Sequence, residues 1–295
     1  MTPREEGFLL LGSFLGNPDR RPLTTAQLRT LALRMAAVDK PLQDRELTPS
    51  DLIPLGYGEE MATRIVALLE ETELLRHYLT RGNRENTHPI TRVSPGYPLR
   101  LRKALGLDSP GVIWAKGDMS ILDRPAISLV GSRDIRPENS GFAARVGQET
   151  ARQGYVLISG NARGADRIAQ EACLKNGGQI IVVVADELAK QRNRPNVLYL
   201  SEEGFDQPFT SPRALSRNRV IHALGQKTFV AQSSLAMGGT WSGTVHNLRN
   251  HWSPVYCFRD GSEAARQLEQ MGAHFVTEED LSSFENLPED IPSFL

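Results

Sequence analysis

Long apolar runs are missing from this chain. Nowhere do apolar residues reach the roughly 18 in a row that a membrane span needs, and the N-terminus lacks the basic, then apolar, then small-residue order of a secretory leader. A cytoplasmic protein without membrane attachment is expected. Cysteine is equally scarce, with two in 295 residues. Cys173 and Cys257 lie inside apolar patterns and form no Cys-x-x-Cys pair, which argues against a disulfide framework and a thiolate metal site. Both read as buried thiols, and neither a metal nor a cofactor is expected. Aromatics make up only 6% of the residues, and internal repeats are absent. The rest, 40% apolar and 23% charged, is the composition of a globular chain long enough for one sizeable core and a smaller domain.

The net charge of −1 conceals an uneven distribution. Residues 97–259 hold 21 Lys and Arg against 13 Asp and Glu, a balance of +8, and 16 of the 21 are Arg. Arginine presents a planar donor fork suited to phosphate. Residues 260–295 hold one basic and nine acidic residues, with an acidic tail assigned to 282–295. A basic centre beside an acidic end fits a polyanion-binding surface with which the tail competes.

Residues 1–80 read as a small helical domain, with Thr24 or Thr25 as N-cap before Leu28, Leu31, Met35 and Val38 at helical spacing. Leu55-Gly56-Tyr57-Gly58, with Ala62 and Ile65 following, has the spacing of a helix-hairpin-helix or SAM-like turn. Glu59 and Glu60 occupy the first turn of its second helix, where they repel an incoming phosphate, so packing or partner docking is expected of it. Residues 81–96 are polar and carry Gly and Pro, which suits a linker, and His88 within it reads as solvated.

From Tyr97 to about residue 281 the pattern changes to short apolar strands alternating with helical stretches. That predicts an α/β fold: a Rossmann-like, doubly wound, mostly parallel sheet with helices on both faces. Strands are expected at 111–115, 126–130, 155–158, 179–185, 197–200, 227–232 and 255–259. Ligands of such sheets sit beyond the carboxyl ends of the strands, so the residues just after each strand are the candidates. The strand at 126–130 runs into Gly131, Ser132 and Arg133 ahead of a helix from about Glu138 to Gln153. Free backbone N–H groups at such a turn, beside a fixed cation, make a phosphate seat. The next strand end carries Ser159, Gly160, Arg163 and Gly164, with Asp166 opening a helix. After 227–232 comes a loop of small residues containing Gly238, Gly239, Thr240, Ser242 and Gly243, again rich in N–H and hydroxyl donors. Arg217, Asn218 and Arg219 open a further helix, with Arg213 close by.

Tyr97-Pro98, Lys116-Gly117, Val130-Gly-Ser-Arg133, Ser159-Gly-x-Ala-x-Gly-x-Asp166, Arg217-Asn-Arg219 and the Gly-rich loop, in this order, resemble the DprA (Smf) family of DNA-processing proteins, a branch of a wider Rossmann-like nucleotide-binding superfamily. The resemblance covers roughly residues 97–280. It implies a non-enzymatic protein that binds single-stranded DNA in DNA uptake and recombination, loads a RecA-type recombinase and works as a homodimer. By position it gives Arg133, Arg163, Arg217 and Arg219 phosphate contacts and makes the Gly-rich loops backbone cradles. Two stretches depart from the family pattern. Gly164-Ala-Asp-Arg-Ile-Ala-Gln170 stands where members commonly read Gly-Ile-Asp-x-x-Ala-His. Ala185 to Arg194 replaces a Gly-x-Asp-x-x-Tyr-Pro loop, with Lys190, Arg192 or Arg194 available to supply its lost basic contact. The winged-helix domain of many members is not seen. Tyr155, Phe209 and Trp241 are the candidate stacking aromatics. The alternative is a nucleotide-binding sensor. A phosphoribohydrolase is disfavoured, because Val245, His246 and Asn247 stand where similar enzymes carry a glutamate.

Overall fold

The computed structural model describes residues 1–38 and 46–289. Among these, nine strands are formed: β1 (His88–Thr91), β2 (Val112–Gly117), β3 (Ala126–Val130), β4 (Val156–Ser159), β5 (Gln179–Val183), β6 (Val197–Ser201), β7 (Thr228–Val230), β8 (Val255–Phe258) and β9 (His274–Val276). They pair into one sheet in the order β1-β2-β6-β5-β4-β3-β7-β8-β9. Pairing is parallel from β6 to β9 and antiparallel at β1-β2 and β2-β6. All seven expected strands are present, their ends moved by at most two residues.

The helices are α1 (Pro3–Gly12), α2 (Thr25–Ala36), α3 (Pro49–Leu52), α4 (Glu59–Glu70), α5 (Thr72–Arg84), α6 (Leu99–Leu105), α7 (Pro137–Arg152), α8 (Ala165–Lys175), α9 (Ser211–Leu224), α10 (Gly238–Asn250) and α11 (Glu263–Gln270). None is long and apolar enough to cross a membrane among the described residues. Alternate side chains of the buried strands point to opposite faces, and each face has its own core. Ile127, Leu129, Leu157 and Ile180 meet Phe142, Val146 and Cys173 of α7 and α8 on one side. Val130, Ile158 and Val183 meet Leu101, Val220 and Leu268 of α6, α9 and α11 on the other. This is the doubly wound arrangement expected. Both thiols are buried and free, and burial pushes each up to about 12.

The N-terminal region differs in part from its expected outline. Thr24 caps α2 through a capping box with Gln27, and a small separate core forms around Leu23, Leu28, Leu52 and Ile65. Val38 lies beyond the end of α2. Helices α1 and α5, however, share the core of the sheet: Tyr78 of α5 stacks on Phe205 at 4.5 Å and meets Trp114 of β2 edge-on at 5.2 Å. The expected linker 81–96 is structured, because α5 continues to Arg84 and β1 pairs with β2. The acidic tail needs the same correction as far as residue 289, since Phe284 and Leu287 are buried in the sheet core; 290–295 lie outside the described residues.

Candidate functional site

Strand order fixes where a ligand can enter. From β3 the chain runs outward through β4, β5 and β6, then returns to lay β7, β8 and β9 on the other side of β3. The switch point is therefore between β3 and β7, where loops leaving the carboxyl ends diverge and open a crevice. A crevice of about 480 Å³ lies there. Its walls are the loop after β3, the loop after β7, the first turn of α10 and one side of α9.

Eight of the expected site residues line it: Gly131, Ser132, Arg133, Arg217, Asn218, Gly238, Gly239 and Thr240. Arg133 is exposed, and its guanidinium has no hydrogen-bond or ion-pair partner among the described residues. Gly238, Gly239 and Thr240 form the first turn of α10, whose N-cap Met237 offers no side-chain acceptor. Their N–H groups and the positive end of the helix are thus left to an anion. Two further polar atoms in the wall, Arg217 Nε and Ser233 Oγ, are hidden from solvent without a hydrogen-bond partner.

Several expected phosphate ligands hold the crevice together from behind. Thr240 Oγ1 donates to the Gly131 carbonyl at 3.0 Å, and Asn218 Nδ2 donates to the Gly239 carbonyl at 3.0 Å. Ser132 Oγ donates to the Asp134 carbonyl at 2.8 Å and so shapes its own loop. The Ala165 N–H donates to the Ser132 carbonyl at 3.1 Å, joining this loop to α8. That approach explains two glycines. A Cβ on Gly131 would stand 2.4 Å from Ala165 Cβ, and one on Gly164, where φ is +81°, would stand 2.5 Å from the Ser132 and Arg133 carbonyls.

The remaining candidates lie outside the crevice wall. Ser159 is fully buried and accepts from Gln170 Nε2 at 2.6 Å, which also donates to the Gly160 carbonyl. Arg163 is exposed at the rim and pairs with Asp134 at 3.0 Å. Arg219 turns away, pairing with Glu202 at 2.8 Å and donating to the Asp108 carbonyl. Ser242 and Gly243 border a separate groove on that side. A Cβ on Gly243 would lie 3.0 Å from His222 Nε2, so this glycine lets α10 approach α9. Arg213 is tied to Glu203 and to the carbonyls of Ala185, Gln207 and Pro208.

Asp166 and Arg217 face each other over Gly160, where a Cβ would meet both. Arg217 donates to the Val183 carbonyl. Burial pushes the Asp166 carboxyl up to about 6, against the opposing pull of Arg217. No group of three or more His, Cys, Asp or Glu able to hold a metal occurs among the described residues. Of the basic residues in the loop after β5, Lys190 is paired with Glu187, whereas Arg194 borders a smaller hollow with Arg167 and Tyr199.

Sequence reasoning missed Asp134, Leu215 and Met237, all in the crevice wall. Their signal was available only as residue type. Leu215 and Met237 are apolar residues in or next to polar, Ser-rich stretches, and Asp134 is an acid beside the arginine of the turn. Of the three stacking candidates, Phe209 lines the crevice. Tyr155 instead packs edge-on against Phe284, and Trp241 packs against the sheet core.

The family model described as DNA recombination-mediator protein A matches residues 88–285. The DNA processing protein DprA of Streptococcus pneumoniae is 29% identical over 183 residues, 58% of this chain and 64% of that protein's length. The match thus spans less than two thirds of that relative. The X-ray structure of the S. pneumoniae DprA superposes with a TM-score of 0.72 over 95% of this chain and 97% of that one, at 23% identity. DNA processing protein A from Helicobacter pylori, solved for its single-stranded DNA binding mode, reaches 0.56 over 66% of this chain and 94% of its own, also at 23% identity. Both share the fold.

Proposed function

This chain belongs to the DNA recombination-mediator protein A family, and on that premise we propose that it binds single-stranded DNA by its phosphates in the crevice between β3 and β7, in the service of DNA uptake and recombination. The observation that carries this reading is the convergence, in one crevice, of the unpaired Arg133 and the uncapped first turn of α10. The solvent-hidden, partnerless Arg217 Nε and Ser233 Oγ in the same wall support it. So does the +8 balance of residues 97–259. The protein acts by binding rather than catalysis. Asn247, near the place where a phosphoribohydrolase would need a carboxylate, is instead buried and hydrogen-bonded to Ser253. The family's description as a recombination mediator extends the reading to delivery of the strand to a RecA-type recombinase, with the protein acting as a homodimer.

Salt titration of oligonucleotide binding is the test. Each neutralised phosphate releases counterions, so affinity falls linearly with salt on logarithmic axes. Arg133→Ala is expected to weaken binding to all sequences alike and to lower the slope by about one. An affinity that stays flat from low to moderate salt would sink the reading. Tight calorimetric binding of nucleoside monophosphates without strand binding would replace it with a nucleotide sensor.

A further inference from the structure

The crevice has a second chemical character that phosphate binding leaves unused. Phe209, Leu215 and Met237 are 54%, 53% and 69% exposed, and all three line it. They come from separate places in the chain: the loop before α9, the second turn of α9, and the N-cap of α10. Large apolar side chains exposed singly need no explanation, but three on the rim of one polar crevice mark a binding surface. We propose that Phe209, Leu215 and Met237 form a lip that takes an unstacked nucleobase, so that the crevice selects single strands over duplex.

The proposal rests on the phosphate reading above and deepens it. The occupant follows from what shares the crevice with the lip. A ligand held by Arg133 and the first turn of α10 is anionic at one end, and the lip requires it to be flat and apolar close by. A nucleotide unit of a single strand has both parts. In a duplex the base face is already stacked and paired, so only the phosphate could engage. Every base has a π-face, and a lip of one aromatic ring, one leucine and one thioether makes contact without reading base edges. Sequence-tolerant binding is the consequence.

Fluorescence anisotropy should be measured with an oligothymidine, an abasic strand of the same length and a duplex, using wild type, Phe209→Ala, Met237→Ala and Arg133→Ala. All three side chains are exposed, so thermal unfolding should confirm that the variants fold as the wild type does. Phe209→Ala is expected to weaken oligothymidine binding about tenfold with an unchanged salt slope. The abasic strand should bind wild type and Phe209→Ala equally, and Met237→Ala should act in the same direction more weakly. The preference for single strand over duplex should shrink in Phe209→Ala. The lip is overturned if both lip variants bind oligothymidine like wild type, or if wild type holds the abasic strand as tightly as oligothymidine. Weakening by Arg133→Ala alone would leave the phosphate reading standing without the lip. Failure of wild type to bind any strand would remove both.

Discussion

Two acidic residues sit among the arginines of the crevice, and their roles differ because their burial differs. Asp134 and Arg163 are 89% and 73% exposed, so their ion pair contributes little, about 0.2–1 kcal/mol, and an incoming phosphate can displace it. Asp134 also adds a negative charge beside Arg133. Asp134→Asn is therefore expected to raise single-strand affinity about two- to fivefold without changing the unfolding temperature; anisotropy showing unchanged or weaker binding would refute this. Asp166 is buried, and its carboxyl is raised from its ordinary 3.8 to about 6. A raised folded-state value stabilises below the ordinary value, and that contribution is lost as pH climbs through about 6. His222 acts in the opposite sense, because burial lowers it to about 3 and its contribution disappears as pH falls below about 6.5. The two windows overlap and mask each other in a bare pH profile. The informative quantity is the stability of wild type minus that of Asp166→Asn, which should fall by about 3 kcal/mol between pH 4 and pH 7. Chemical denaturation at several pH values reads it, and a difference independent of pH would exclude the assignment. Neither acid's environment could be read from sequence, where Asp166 looked like an ordinary first-turn carboxylate and Asp134 drew no notice.

At the scale of elements, the loop after β7 has to be held open for its N–H groups to serve a ligand. Ala236 lies in the left-handed region, with φ of 55°, and Gly238 has φ of 81°, a conformation that costs an alanine about 1 kcal/mol or more. The side chains of Thr240 and Asn218 hold the segment against Gly131 and α9. Thr240→Val and Asn218→Ala each remove one such bond, about 1 kcal/mol. Faster hydrogen exchange at the Gly239 and Thr240 amides is expected, with weaker strand binding but an unchanged salt slope, since no charge is removed. A reduced slope would instead make these side chains part of the electrostatic contact itself. Sequence reading brought the right loops to one crevice because apolar runs such as Ile180 to Val184 locate buried strands and the glycines mark their ends. It did not separate the ligand-facing groups from those that brace the loops, because Ser, Thr, Asn and Gly serve both purposes at helix starts. Short elements were lost for a related reason. β1 has four residues including Pro89, tolerated on an edge strand, and β9 has three. Neither is long enough to display a period. Gly82 made the end of α5 read as linker, although a Cβ there would press on Trp114 and Thr87 at 3.1 Å.

Across the whole molecule, the two ends of the sheet have separate tasks, and the acidic C-terminal stretch belongs to the end away from the crevice. The crevice opens beyond the carboxyl ends of β3 and β7. Residues 281–289 engage groups that precede strands: Gln153 accepts from the Phe284 N–H, Tyr155 packs on Phe284, and Glu289 pairs with the buried Lys227 just before β7. Tyr256 Oη donates to the Pro288 carbonyl at 2.7 Å. Competition between this stretch and DNA, expected from charge alone, requires acids that can reach the basic rim, and residues 281–289 are anchored at the far end. Truncation after Leu281 is accordingly expected to act on stability. Phe284 is fully buried and Leu287 nearly so, and losing a buried phenylalanine costs about 3–5 kcal/mol. The truncated chain should unfold at a clearly lower temperature while binding oligothymidine no more tightly than wild type below that temperature. Glu285→Gln, at an exposed position, should leave both quantities unchanged and so separates charge from packing. Tighter binding by the truncated chain at undiminished stability would return the stretch to a competitor of DNA. Weaker stability with wild-type affinity would assign it to the closing layer of the sheet core.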